Sequence, residues 1–390
     1  MKMPLQDLQN LDELLHGPLP PQPDAWETVQ RILARRREFG ITRLGSVTGL
    51  DRAGIEVVQV IRPASRSVAV SMGKGLTYAQ AAISGLMESL EGWASERIAA
   101  GRVWKAGVGE TDGDRIWSHL PQAACGSPAD LSWIEGWDLM SAAPRPVPLA
   151  LVDTAYIVPS PHPHGFSRDT TGLAAGTSLQ QAMAHACFEI LERHAHCMAM
   201  ATPHFFDRFQ IDTRTIRSGE AGEIMDRLER AGFAVGAWIV PAEHDLPVYW
   251  CHVMEGAGHA PLAPLPASGL GCDLTHDRAL AKALMEACQS RLGVISSARE
   301  DVSGWLYQPS DRREMVAWRE FLSGAALPYC HAPEDSNSGS ILETALHALK
   351  SAGATAAIAV VLHSDESIPL HVVRIVAPPL QTNPELVHER

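Results

Sequence analysis

The chain has 390 residues, 46% of them hydrophobic and 20% charged, with a formal net charge of −13. That composition is globular with ample length for a large core, and the acidic balance argues against binding to nucleic acid or an anionic membrane, which needs a basic face. Seven cysteines without a C-x-x-C pair signal neither a disulfide framework nor a structural zinc site, so a reducing cytoplasm is the expected home.

Residues 1–39 read as a leader and a helix. Met1 to Gly17 is polar with spaced leucines and lacks a signal-peptide apolar core, and no later stretch is apolar for the ~18 residues a membrane span needs. After the proline-rich Pro18 to Pro23, a helix is predicted from Trp26 to Arg37, stopped by Gly40. Strands are predicted at Ile55 to Ile61 and Ser67 to Ser71. The turn Met72-Gly73-Lys74-Gly75 then leads into a long helix, Thr77 to Ala99, with Thr77 as N-cap.

The stretch 101–168 is mixed, with short strands near Val147 to Val152 and a Pro- and His-rich loop from Pro159 to Gly165. A small-residue turn, Thr170 to Gly176, precedes a helix from Ser178 to Met198. Residues 223–255 read as helix, strand (Ala234 to Val240), turn and strand (Pro247 to Met254). A third glycine loop, Gly269 to Asp273, precedes a helix from Asp277 to Ser296. A helix from Ile341 to Ser351 and strands Thr355 to Leu362 and Leu370 to Val376 follow. Adjacent strands with short turns indicate an α+β fold of largely antiparallel sheet packed by long helices. Residues 381–390 read as a tail.

Each of the three long helices carries two acidic or amide side chains three residues apart in an apolar pattern: Glu88 and Glu91, Glu189 and Glu192, Glu286 and Gln289. That spacing puts both members on one helix face, and Ser84 extends the first stripe. A lone buried carboxylate is costly, so three such pairs point to helices converging on something positive. Oxygen ligands suit Mg²⁺ neutralised by phosphate oxygens. Cations lie near each pair: Arg66 and Lys74 before the first helix, Arg193 in the second, Arg291 and Arg299 in or after the third. The competing view of any single pair is a salt-bridged or solvated helix face. Neither glycine loop is a Walker A or dinucleotide fingerprint. His162, His164, His194 and His196 are read as structural or surface residues, and Cys187, Cys197 and Cys288 as small core residues.

These segments resemble the YcaO superfamily, from about Gly40 to Pro379. The resemblance rests on Gly40 to Leu44, the S-x-G-K-G form at Ser71 to Gly75, Ser84 to Glu91, Gly172 to Gly176, Glu189-Ile190-Leu191-Glu192-Arg193, Glu286 to Arg291, and Ala298 to Asp301. It implies a YcaO-type fold over 40–380 as the catalytic domain, with ATP and Mg²⁺ among the helices. It further implies activation of a peptide backbone amide through its oxygen, followed by addition of a nucleophile at the carbonyl carbon and departure of phosphate. By position, Glu88, Glu91, Glu189, Glu192 and Glu286 would hold the metal, with Glu189, Glu192 and Glu286 the catalytic set. Lys74, Ser84, Glu88, Glu91, Arg193, Gln289 and Arg299 would hold the nucleotide.

Two departures matter. His194 stands where many members have Asp, and the C-terminal segment from Ala377 lacks the proline alternation of azoline-forming members. The overall look, including Thr48 to Asp51, is similar to members that work with a TfuA-type partner. Thioamide formation on a ribosomally made peptide or protein is therefore the leading expectation, with a delivery partner and a homodimer. Azoline formation, a non-catalytic nucleotide-binding subunit and an ATP-independent dimetal hydrolase are the competing readings.

Overall fold

The Asp24 carboxylate accepts the Glu27 N–H and starts α1 (Ala25–Ala34), which turns Thr28, Val29 and Ile32 inward. The structure, a computed structural model, describes residues 14–15, 17, 19–106, 117, 131–163, 166, 168–258, 266–302, 304–307, 311–324, 327–329, 340–365 and 367–383. β1 (Arg43–Ser46), β2 (Glu56–Ile61), β3 (Val70–Gly75) and α2 (Tyr78–Ser95) come next. They are followed by β4 (Val103–Ala106), β5 (Leu131–Ile134), β6 (Trp137–Asp138), β7 (Ala143–Pro144), β8 (Val147–Pro148), β9 (Leu173–Gly176) and α3 (Leu179–Ala201). Then come α4 (Phe205–Arg208), β10 (Gln210–Asp212), α5 (Gly219–Arg230), β11 (Phe233–Val240), β12 (Val248–Glu255), β13 (Ala267–Cys272) and α6 (His276–Ser296). α7 (Arg312–Leu322), β14 (Leu327–Pro328), α8 (Ile341–Ser351), β15 (Ile358–Asp365) and β16 (Leu370–Val376) complete the order.

The strands form four sheets: β1-β2-β3, β4-β5-β8, β7-β6-β15-β16-β9 and β13-β12-β11-β10-β14. All pairings are antiparallel except β10 with β14. The α+β expectation, with long helices packed on antiparallel sheets, is what is found.

Among the described residues, β3, β9 and β13 are each the end strand of their sheet, and each runs through a tight turn into a long helix that folds back on it. The turn chemistry repeats. Thr77, Ser178 and Thr275 cap α2, α3 and α6 by accepting the Gln80, Gln181 and Arg278 N–H groups. Gln80 and Gln181 also reach back to the amides ahead of their helices, Gln80 to Leu76 and Thr77, Gln181 to Thr177. The interval from Thr77 to Glu88 recurs from Ser178 to Glu189 and from Thr275 to Glu286.

Four sequence expectations need correction here. Met72 to Gly75, Leu173 to Gly176 and Gly269 to Cys272 were expected as loops but are strands, and the strand expected at Ser67 to Ser71 lies instead at Val70–Gly75. The glycines serve close packing rather than a turn. A Cβ on Gly176 would lie 2.7 Å from the Ala182 nitrogen, one on Gly75 2.7 Å from the Ala81 nitrogen, and one on Gly271 2.7 Å from the Ala283 nitrogen. The facing helix positions are correspondingly small: Ala81 and Gly85, Ala182 and Ala186, Ala279 and Ala283, all buried. Part of the Pro159 to Gly165 loop lies outside the described residues.

Substituting Gly271→Ala should therefore destabilise the fold by about 2 kcal/mol through overpacking, whereas Gly101→Ala, with open space around it, should be near neutral. Urea midpoints of the two variants check this.

Candidate active site

The three edge strands and their helices surround one cavity of about 830 Å³. All ten residues singled out in the sequence line it: Lys74, Ser84, Glu88, Glu91, Glu189, Glu192, Arg193, Glu286, Gln289 and Arg299. Arg66, whose side chain is exposed, and Arg291 do not.

Each first acid is anchored to the edge strand ahead of its own helix or, for Glu189, to the residue just before that strand. The Met72 N–H donates to Glu88 Oε1 at 3.2 Å, Gly172 N–H to Glu189 Oε2 at 3.1 Å, and Leu270 N–H to Glu286 Oε1 at 3.5 Å. Each second member reaches the next unit. Glu91 Oε1 on α2 accepts the Ala175 N–H of β9 at 2.7 Å, and Glu192 Oε2 on α3 accepts the Cys272 N–H of β13 at 3.1 Å. Gln289 Nε2 on α6 donates to the Met72 carbonyl of β3 at 2.9 Å. The links run from the first unit to the second, the second to the third and the third back to the first. The result is a closed ring with pseudo-threefold character, in which acid side chains take backbone groups on three sheet edges.

Cations sit inside the ring. Lys74 Nζ donates to Glu286 Oε2 at 2.9 Å. Arg193 lies 3.8 Å from Glu192 and 3.9 Å from Glu286. Arg299 lies 3.8 Å from Glu88 and is braced by Asp301 at 2.6 Å. Burial opposes the Lys74 charge, but Glu286 outweighs it and holds the ammonium above its usual range. Burial alone would raise Glu286, yet Lys74 and Arg193 hold it below the usual carboxylate value. The other acids go the opposite way. Burial pushes Glu189 up to about 7, and burial also raises Glu88, Glu91 and Glu192. For Glu91 the neighbouring Glu88 adds to the effect. This is a site with more negative charge than its own cations balance.

The sequence reading missed Lys282 and His185, which occupy the position held by Ser84 in the first unit, four residues before the first acid. Both line the cavity. Lys282 Nζ pairs with Asp273 at 2.5 Å and lies 5.6 Å from the Phe188 ring centre. Burial, with Lys282 adding to it, lowers His185 to about 4. The stripe spacing seen for Ser84, applied to the other helices, was the signal that would have found them.

Arg291 was expected near the site and is elsewhere. It is fully buried, 2.7 Å from Asp51 and 2.5 Å from Glu255, so it joins the turn after β1, β12 and α6 as an ion triad. His162 is buried against Asp153 at 2.7 Å, and His164 lies outside the described residues. His194, the departure after the acidic motif, accepts the Gln381 N–H on Nδ1 at 3.2 Å. It ties α3 to the C-terminal segment rather than facing the cavity. Cys187, Cys197 and Cys288 are buried.

Among the described residues, no group of three or more His, Cys, Asp or Glu side chains is arranged as a self-sufficient metal centre. The donor set instead has the chemistry of a shared site. Mg²⁺ takes one or two carboxylates and completes its shell with water and phosphate oxygens, and lysine and arginine suit the remaining phosphate charge. Buried carboxylates interleaved with Lys74, Arg193 and Arg299 fit a nucleotide triphosphate carrying Mg²⁺.

A cavity of this kind belongs to a nucleotide-dependent enzyme class, and the comparisons make the class specific. The sequence profile of the YcaO cyclodehydratases, an ATP- and Mg²⁺-binding family, matches residues 72–381. The chain belongs to the YcaO family. The uncharacterised protein Rv1375 of Mycobacterium tuberculosis is 30% identical over 370 residues, covering 92% of this chain and 81% of that one. An uncharacterised protein in the tfuA 3′ region of Rhizobium leguminosarum bv. trifolii is 28% identical over 376 residues, covering 92% and 87%. In fold, the chain is similar to the YcaO of Methanopyrus kandleri bound with AMPPCP and Mg²⁺, with a TM-score of 0.69, 19% identity, and coverage of 94% of this chain and 93% of that one.

Two outcomes follow. Without nucleotide or metal, folded Glu189 holds its proton more tightly than the unfolded chain does. Its contribution is present below about pH 4.5 and is lost as pH rises through about 7. The stability of Glu189→Gln relative to wild type should therefore increase over that range, measured by denaturant midpoints at pH 5 and 8; a constant difference would remove the assignment. Arg291→Met, which removes the guanidinium held between the buried Asp51 and Glu255, should cost roughly 3–5 kcal/mol, measured the same way.

Proposed function

We propose that this chain uses ATP and Mg²⁺ to activate a backbone amide of a peptide or protein, and that a sulfur donor then replaces the amide oxygen to give a thioamide. The observation that carries the first half is the ring of carboxylates enclosing Lys74, Arg193 and Arg299 in one cavity, in a chain of an ATP- and Mg²⁺-binding family. When bound, ATP with Mg²⁺ supplies the phosphoryl group that makes the amide oxygen a leaving group. The chain's own contribution is positioning and charge. Glu88, Glu91, Glu189, Glu192 and Glu286 offer hard oxygen ligands, each steadied by a backbone N–H. Lys74, Arg193 and Arg299 would take the phosphate oxygens and Ser84 would complete the nucleotide contacts, while Gln289, expected among those contacts from the sequence, gives its amide to the Met72 carbonyl. Glu189, Glu192 and Glu286, grouped around Arg193, are the acids on which turnover depends.

The thioamide half is supported by the relative from the tfuA 3′ region. On this reading residues 40–380 are the catalytic domain, acting as a homodimer in the cytoplasm beside a TfuA-type partner that delivers sulfur or substrate. No helix among the described residues is long and apolar enough to cross a membrane. The family's own description as cyclodehydratases favours a second reading, ring closure by a Cys, Ser or Thr side chain of the substrate.

Mass spectrometry of a co-expressed precursor peptide separates the two. A thioamide product is heavier by the difference between sulfur and oxygen, and an azoline product is lighter by one water. Glu189→Gln and Glu286→Gln should each lower peptide-dependent phosphate release at least about a hundredfold, in line with removal of a preorganised charge from such a site. Unaltered rates in both variants would overturn the assigned roles, and phosphate-free turnover would overturn the ATP dependence.

A further inference from the structure

The ring has one link of reversed polarity. Glu91 and Glu192 accept N–H groups from the neighbouring edge strand, whereas Gln289 donates to a carbonyl, that of Met72. The reason lies in β3. The Met72 N–H is already given to Glu88, and the Lys74 N–H, which matches the amides taken by Glu91 and Glu192 on the other edges, is directed to Ser84 Oγ at 3.4 Å. What remains facing α6 is an acceptor. A carboxylate there would set oxygen against oxygen, whereas an amide supplies the donor.

The link also controls where Lys74 sits. Met72 and Lys74 are two residues apart on one strand and so point their backbone groups to the same edge. One turn of α6 separates Gln289 from Glu286, the partner of Lys74 Nζ. Two bonds, Gln289 to Met72 and Lys74 to Glu286, therefore clamp the same strand to the same helix face.

We propose that Gln289 is a positioning residue that closes the ring by fastening β3 to α6, and so fixes the Lys74 ammonium where the nucleotide's phosphates are received. This rests on the nucleotide reading given above, but its central consequence can be measured without nucleotide. In the apo protein, Gln289→Met should speed amide exchange of Met72 and Lys74 about tenfold or more. The amides of Leu270 and Cys272 on the neighbouring edge should stay as in wild type, and so should the denaturant midpoint. Titration with Mg²⁺ and AMPPNP should then show affinity about tenfold weaker. Gln289→Glu, closer in shape, should change both readouts in the same direction and serves if the methionine variant does not fold.

Unchanged exchange with weakened binding would mean a direct ligand contact and would overturn the positioning role, as would no change in either. Failure of wild-type protein to bind Mg²⁺ and AMPPNP strikes the nucleotide reading instead, and the exchange comparison still decides the clamp.

Discussion

The site depends on a conflict of needs between carboxylates and sheet edges. An edge strand presents unpaired N–H groups, and a buried carboxylate requires donors. Here three edges meet around one cavity, and the same five glutamates answer both needs. A hydrogen bond to a charged group contributes about 1.5–3 kcal/mol, less than the cost of burying an unpaired carboxylate. The raised proton affinities of Glu88, Glu91, Glu189 and Glu192 are the residue of that shortfall. Further positive charge is what the arrangement lacks. A carboxylate has two oxygens, so one can stay on the backbone while the other turns to a cation.

Much of this was legible in the sequence because helices leave a periodic trace. The acid pairs and the cap at Thr77 follow from local rules, and Ser178 and Thr275 cap the other two helices by the same chemistry. The three helices were readable for that reason. That they converge was inferred only because three repeated pairs are more than chance supplies.

The strands ahead of them were not readable, since glycine in a strand looks like glycine in a turn. Gly73, Gly75, Gly269 and Gly271 are there because a helix lies directly against the backbone, a tertiary cause with no local signature. Arg291 misled for a related reason. Its spacing places it after an acid pair, but its partners, Asp51 and Glu255, lie far away in the chain. Lys282 and His185 were hidden because residues of different chemistry share one structural position. The ring's direction, in which each second acid reaches the next unit, could be seen only in three dimensions.

The triad of Asp51, Arg291 and Glu255 carries a consequence of its own. It draws one charge from each of three separate chain regions to a point where loss of Arg291 would strand both acids. A fragment ending before Glu255 would hold Asp51 with no counter-ion, and one beginning after Asp51 would keep the Arg291–Glu255 pair but lose the tie to the turn after β1. A cut anywhere between Asp51 and Arg291 therefore separates members of the triad.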